Sequence, residues 1–368
     1  MKHCTWRIAL GAMGALMTGL SAGAQTLPDY YPSDYSEIVE ASRGEAGLMI
    51  YSNLSAENAG PMVAGFQQAY PWISVEIMDL AAGTLHSRWE AEAGSSARTA
   101  DLLISTAVDR WVDYAAQGKL MDYQSPEAPH LPEFALPGGG IYVMSTDPMV
   151  LVYNTLLTPA EDAPTGVDDI ARLAAADPGT YAGRLTTYDP LRNAFGLSIW
   201  YAAMRDKGQG LWPALDVIGP QIRGENSGGA QLDKVATGEY IASIYVSGIA
   251  VFPRQQQSGG EIYGVTFPDD GTPIAFRGMG IPTVSANPNS AKLFLDYALS
   301  SKGQTELGKG GVTPYRDDVP EAEIPFYTFQ SIAELVGAEN LVLINFDSGM
   351  AAGVDAFTAR WKQATGEK

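Results

Sequence analysis

Cysteine, histidine and basic residues are scarce in this 368-residue chain. It has one cysteine, Cys4, three histidines, and 23 Lys and Arg residues against 42 Asp and Glu residues. One cysteine excludes an internal disulfide and a cysteine-rich metal site. His86 and His130 lack HExxH or CxxC spacing, so we predict no metal site and no cofactor. The formal net charge of −19 disfavours binding to nucleic acid or to an anionic membrane surface.

The N-terminus has the pattern of a secretory signal peptide. Lys2 and Arg7 precede the apolar run Ile8–Leu20, and an A-x-A cleavage pattern occupies residues 22–24. The run is shorter than the about 20 apolar residues that span a bilayer, so no membrane insertion is expected. We therefore predict that residues 1–24 are removed and that the protein is exported to the periplasm.

The segment after residue 46 predicts an α/β fold. The apolar run Leu48–Tyr51 breaks into small polar residues before a helix that carries Met62, Val63 and Phe66 at helical spacing. A strand pattern follows at Trp72–Met78. In such a fold ligands bind at the carboxyl ends of the strands, where the loops lie.

The rest of the chain continues this alternation and exceeds the usual size of a single core, so two lobes are expected. Helices are predicted at residues 167–176, 194–204, 230–237, 288–299 and 350–363. Extended runs are predicted at 185–192, 241–246 and 279–284, and two further runs within 141–154, on either side of residues 145–148. Core positions are predicted for Trp89, Trp111 and Trp200 and for the helix face formed by Val354, Phe357 and Trp361.

Seven phrases, in order, resemble the type II periplasmic solute-binding proteins of ABC importers, the class that contains ferric-ion binders and binders of phosphorylated or phosphonate compounds. They are YYPSDYSEIVEASRGEAGLMIYSN, TLHSRWEAEAG with ADLLIST, VLVYNTLLTP, DPGTYAGRLTTYD, KVATGEYIASI and IPTVSANPNSAKLFLDYALSSKGQTEL. The resemblance implies two lobes, each a mixed sheet flanked by helices, with a ligand cleft between them. It also implies a monomer that closes by hinge motion and delivers its solute to an inner-membrane permease, without catalysis.

The expected lobe boundaries are residues 25–146 with 268–314 for lobe 1, and 147–267 with 315–368 for lobe 2. Ferric members of the class use a histidine, a carboxylate and two adjacent tyrosines as ligands. The matching positions here fall in residues 51–55, 105–107 and near 248–249, and none carries those residue types.

Neutral hydrogen-bond donors at these positions favour an oxyanion, because hydroxyl and backbone N–H groups at helix N-termini bind phosphate. The predicted ligand is therefore a phosphorylated sugar, a glycerol-phosphate-like compound or an aminophosphonate. Asp189 is expected to accept from ligand hydroxyls or an amine, and Arg192 or Arg254 to supply charge-assisted bonds. The predicted site comprises Ser52, Asn53, Ser55, Ser105, Thr106, Thr146, Tyr188, Asp189, Arg192, Asn193, Ser227, Gly228, Ser247, Gly248 and Arg254.

Three alternatives remain open from the sequence. Ferric iron could be held by other tyrosines, such as Tyr245 and Tyr263, with a synergistic anion. A sensor subunit for a histidine kinase would use the same closed surface. An exported hydrolase is the enzyme alternative, but the G-x-S-x-G match at residues 19–23 lies inside the predicted signal peptide.

Overall fold

The computed structural model describes residues 27–95, 97–346 and 349–367. The predicted signal peptide, residues 1–24, lies outside them. Within the described ranges, no helix combines the length and the apolar character needed to cross a bilayer.

The described residues alternate strands and helices along the whole chain. The strands are β1 Leu48–Ser52, β2 Val75–Asp79, β3 Leu102–Ser105, β4 Tyr142–Asn154, β5 Leu185–Tyr188, β6 Ile222–Glu225, β7 Ala242–Ser247, β8 Tyr263–Thr266, β9 Thr272–Gly280 and β10 Leu341–Ile344. The helices are α1 Tyr35–Ser42, α2 Ala56–Ala69, α3 Ala82–Ala93, α4 Val108–Ala116, α5 Val167–Ala176, α6 Pro178–Tyr181, α7 Ala194–Ile218, α8 Gly228–Ala236, α9 Gly248–Gln255, α10 Pro288–Leu299, α11 Ser301–Lys309, α12 Phe329–Val336 and α13 Gly349–Thr365.

The strands form one mixed sheet in the order β2-β1-β3-β9-β4-β7-β5-β6, with β10 beside β9 and β8 beside β4. The strands β1, β2 and β3 are mutually parallel, so their carboxyl ends share one edge. The strands β5, β6 and β7 are parallel in the same way. These two parallel groups are the sheets of the first and second lobes.

Two antiparallel strands join the lobes. Residues Tyr142–Pro148 of β4 pair with β9, whereas its later residues pair with β7 and β8. Likewise β9 pairs with β3 near its end and with β10 near its start. Both crossing strands are buried along almost their whole length, so they can bring side chains to the floor of a cleft.

Separate apolar clusters fill the two lobes. Phe66, Phe294 and neighbours from α2 and α10 form the main cluster of the first lobe. Trp200 and Trp361 pack edge to face in the second lobe, with ring centroids 4.9 Å apart. The predicted core positions of Trp89, Trp111, Trp200, Phe357 and Trp361 are confirmed, since all are buried, and Val354 is half-buried.

The predicted elements exist, but several boundaries were wrong. Residues 141–154 form one continuous strand, β4, rather than two runs. Only the first two residues of the predicted run at 279–284 belong to β9, which begins at Thr272 and ends at Gly280. Helix α7 continues to Ile218 instead of ending near 204, and its later turns bury Leu211 and Leu215. Helices α5 and α10 have the predicted ends.

Candidate ligand-binding site

A cavity of about 700 Å³ lies between the lobes at the carboxyl ends of both parallel strand groups. One wall comes from the loops after β1, β2 and β3, and the opposite wall from the starts of α7 and α8. The crossing strands supply Asp147 and Arg277. This arrangement places polar groups from distant parts of the chain around one volume.

The first-lobe wall presents hydrogen-bond donors. The Asn53 amide nitrogen donates to Thr106 Oγ1 over 2.8 Å, which leaves the Thr106 hydroxyl hydrogen free to point at a ligand. Helix α3 begins at Ala82, in the cavity lining, and no side chain of the described residues caps it. The backbone N–H groups of Ala82 and Gly83 therefore have no side-chain acceptor there. These groups together suit a negatively charged ligand atom.

Arg277 of β9 is the buried cation of the site. Its exposed fraction is only 5%, and its guanidinium donates to the Asn53 amide oxygen. Among the described residues, its Nε has no hydrogen-bond partner and no carboxylate lies within the 4.0 Å of an ion pair. Burial lowers its pKa, while the charges of Asp147 and Asp79 oppose that effect. A buried guanidinium with an unused donor is unusual unless a further partner binds it.

Asp147 of β4 is the buried acid of the site. Its carboxylate accepts from Ser247 Oγ over 2.6 Å and from the Ile249 backbone N–H over 3.3 Å, at the start of α9. Burial raises the pKa of Asp147 to about 6, although these hydrogen bonds and Arg277 oppose the rise. The carboxylate therefore occupies the α9 N-terminus and remains an acceptor at the cavity wall.

The second-lobe wall is built from two capped helix N-termini. The Asn193 side chain accepts from backbone N–H groups at the start of α7, and Ser227 accepts from Ala230 at the start of α8. Tyr188 ends β5, and a Cβ at Gly228 would lie 2.7 Å from its hydroxyl, so a larger residue at Gly228 would shift the tyrosine. Burial raises the pKa of Tyr188, which therefore stays a neutral donor.

The balance of charge at this cavity differs from that of the whole protein. The N-termini of α3, α7 and α8 each contribute partial positive charge, and Arg277 contributes a full charge in a buried position. Asp79 and Asp147 supply acceptors at the same cavity. The site can therefore hold a solute that has an anionic group and, close to that group, hydrogen-bond donors.

Part of the site predicted from sequence meets at this cavity. The members that line it are Asn53, Thr106, Tyr188, Arg192, Asn193, Ser227, Gly228 and Ser247. The members placed outside its lining are Ser52, Ser55, Ser105, Thr146, Asp189, Gly248 and Arg254.

Local hydrogen bonds explain three of the members outside the lining. The hydroxyls of Ser52 and Ser105 accept from backbone N–H groups two residues later, so both shape the loops after their strands. Ser55 is the N-cap of α2 and bonds to Asn58. Their role in positioning the loop backbone is structural.

The remaining predicted site residues outside the cavity lining contact other parts of the protein. Thr146 donates to the Thr313 carbonyl over 3.1 Å. Asp189 lies 2.5 Å from Arg192 and lines another cavity, whereas Asp79 and Asp147 are the carboxylates that line this one. Arg254 lies outside the cavity lining and forms an ion pair with Asp233, with 2.6 Å between the charged atoms. Gly248 packs closely against Phe252.

Sequence reasoning missed Arg277, Asp147, Asp79 and the start of α3. A usable signal existed for the first two, because each is a charged residue inside an otherwise apolar strand pattern. No comparable signal marks Ala82 and Gly83, whose contribution is made by the backbone.

Comparison with solved structures supports the same architecture. A substrate-binding protein of an ABC transporter from Agrobacterium tumefaciens matches with a TM-score of 0.76 and 22% identity, covering 88% of this chain and 95% of that chain. Iron-bound HitA from Pseudomonas aeruginosa matches with a TM-score of 0.65 and 18% identity, covering 86% and 99%. Trichodesmium IdiA (FutA), in complex with iron and citrate, matches with a TM-score of 0.62 and 16% identity, covering 88% and 100%. A search of curated protein sequences gave no match.

The described residues have the two-lobed type II periplasmic binding protein fold. The family model described as bacterial extracellular solute-binding protein matches residues 61–328. The chain therefore belongs to the bacterial extracellular solute-binding protein family.

Proposed function

We propose that this protein is the periplasmic solute-binding component of an ABC importer, which captures a small anionic solute and delivers it to an inner-membrane permease. Family membership and the similarity to an ABC transporter substrate-binding protein support this role. The change of pairing partner along β4 supports a lobe boundary near residue 146, and the boundary predicted at residue 268 lies just before β9 begins. Hinge motion at these positions would close the cleft.

The buried guanidinium of Arg277 is the observation that carries the anionic ligand. Its Nε lacks a hydrogen-bond partner among the described residues, in a cavity where helices α3 and α8 also begin. A phosphate or phosphonate group bound there would receive charge-assisted hydrogen bonds and would neutralise a buried cation. Binding would thus offset the desolvation cost of the buried Arg277 charge.

The acceptors narrow the class of solute. Asp147 and Asp79 would repel a ligand that is purely anionic, but they can accept from a hydroxyl or an ammonium group. A hydroxylated organophosphate, such as a sugar phosphate or a glycerol-phosphate-like compound, meets both requirements. An aminophosphonate is the second choice, because its single ammonium group leaves the neutral donors of Ser227 and Tyr188 with fewer acceptors.

Ferric iron remains the second candidate, because iron-bound HitA and an iron- and citrate-bound FutA share the fold. The two tyrosines considered for iron lie elsewhere. Tyr245 is fully buried against Trp200, and Tyr263 accepts from Arg254 over 3.4 Å. Among the described residues, no group of three or more His, Cys, Asp or Glu side chains is placed to hold a metal ion.

Isothermal titration of the mature protein with glycerol 3-phosphate and with glycerol tests the anionic class directly. The expected result is saturable one-to-one binding of the phosphate compound, no detectable binding of glycerol, and no product after prolonged incubation. Equal binding of both compounds, or binding of glycerol alone, would contradict the proposal. Release of product would indicate an enzyme instead.

A further inference from the structure

A second, smaller cavity of about 230 Å³ lies beside the ligand cleft, between α4 and α7. It shares Thr106, Phe195 and the start of α3 with the main cavity, so the two cavities adjoin each other. The residues specific to it include Ala107, Val108, Leu197 and Met350. We call this region the apolar annex.

The annex differs in chemistry from the main cavity. Its walls come from both lobes, because Val108 begins α4 on one side and Leu197 belongs to α7 on the other. Phe195 and Leu197 are half-buried and pack against the second-lobe core while leaving apolar surface facing the cleft. Apolar surface that remains accessible in a cleft is stabilised when a ligand covers it.

Charged residues at the annex rim are already paired. Arg110 lies 3.8 Å from a Glu90 oxygen and 3.7 Å from an Asp109 oxygen. Among the described residues of the annex lining, Arg110 is the cation and it is already paired. The other side chains are small, aliphatic or aromatic, apart from Asp109 and the hydroxyls of Thr106 and Ser198. The part of a ligand that fits here is uncharged and apolar.

We propose that the solute carries a short apolar arm next to its anionic group, and that the apolar annex is the subsite for this arm. The inference rests on the proposed anionic site, because the position of the annex beside that site is what orients the arm. Bound in this way, the phosphate or phosphonate group contacts Arg277 and the arm extends between Val108 and Leu197. The solute class is then a hydroxylated organophosphate or an aminophosphonate that also carries an alkyl or aryl substituent.

Titration calorimetry with methylphosphonate, propylphosphonate and phenylphosphonate tests the annex. Affinity is expected to rise about fourfold for each added methylene, because burying one CH₂ contributes about 0.8 kcal/mol. Equal affinity for methylphosphonate and propylphosphonate would overturn the annex while leaving the anionic site intact. If none of the three compounds binds although glycerol 3-phosphate does, the annex proposal is overturned and the anionic site stands. If glycerol 3-phosphate does not bind either, the anionic proposal fails and the annex proposal fails with it.

Two variants localise the effect. Leu197→Ser removes an apolar wall and Ala107→Leu fills the volume, and neither residue lines the main cavity. Both should abolish the gain of propylphosphonate over methylphosphonate and leave methylphosphonate affinity unchanged. A gain that persists in both folded variants, as checked by circular dichroism, would place the arm elsewhere. Because the wild-type series needs no substitution, a variant that fails to fold does not remove the test.

Discussion

Replacing Arg277 by glutamine should separate ligand affinity from the stability of the unliganded protein. Arg277 donates to Asn53 and leaves its Nε without a partner among the described residues. Two charge-assisted hydrogen bonds to a bound anion contribute about 1.5 to 3 kcal/mol each. We therefore expect a loss of about 3 kcal/mol or more in binding free energy, which is a Kd at least about 100-fold weaker.

The unliganded protein should respond differently to Arg277→Gln. The variant loses the hydrogen bond to Asn53 and the attraction of Asp147, but it also removes the desolvation cost of a cation that is 5% exposed. These effects oppose each other, so the free energy of unfolding should change by no more than about 1 kcal/mol. Chemical denaturation without ligand measures this change.

Arg192→Gln is the matched control for the calorimetric measurement. The Arg192 side chain also lines the cavity, but it is 67% exposed and already paired with Asp189. Its removal should weaken binding less than about tenfold, because exposed ion pairs contribute about 1 kcal/mol or less. The reasoning would be refuted if Arg277→Gln bound within threefold of wild type, or if Arg192→Gln caused the larger loss.

Three further predictions concern stability and the loops. Burial raises the pKa of Asp296 to about 7, so the folded state holds this proton more tightly than the unfolded state. The free energy of unfolding should therefore fall as pH rises from about 4 to 7. In Asp296→Asn the free energy of unfolding should depend less on pH over the same range. Gly278→Ala places a Cβ 2.5 Å from the Trp111 indole nitrogen and should cost about 1 to 3 kcal/mol in thermal unfolding, whereas an unchanged Tm would contradict this packing. Ser227→Ala and Ser55→Ala should each cost about 1 kcal/mol as lost N-caps, but calorimetry should show weaker solute binding only for Ser227→Ala.

Local signals in the sequence predict most of the fold. Apolar periodicity identifies α5 to the residue, and for α10 the proline at its first position marks the start, because both signals are local in the chain. The extent of α7 and the start of β9 depend on burial against other elements, which periodicity alone does not reveal. The errors in predicted boundaries therefore occur mainly at helix and strand ends whose position depends on tertiary packing.

The site was less accessible from sequence because its central contacts are long-range. Arg277 and Asn53 are 224 residues apart, and Asp147 and Ser247 are 100 residues apart. Loop hydroxyls such as Ser227 can be found from their position before a helix. A buried charge on a crossing strand becomes meaningful only when the register of β4 with β9 places it beside the cleft.

A thermal-shift screen of the mature protein tests the central claim most directly. Glycerol 3-phosphate, a sugar phosphate, an aminophosphonate, propylphosphonate, inorganic phosphate and ferric citrate would be compared at saturating concentration. A ligand at a hundredfold excess over its Kd should stabilise the native state by about 2.7 kcal/mol. The account predicts a large shift with at least one organophosphate or phosphonate, lost in Arg277→Gln, and none with ferric citrate. A shift with ferric citrate alone would contradict it.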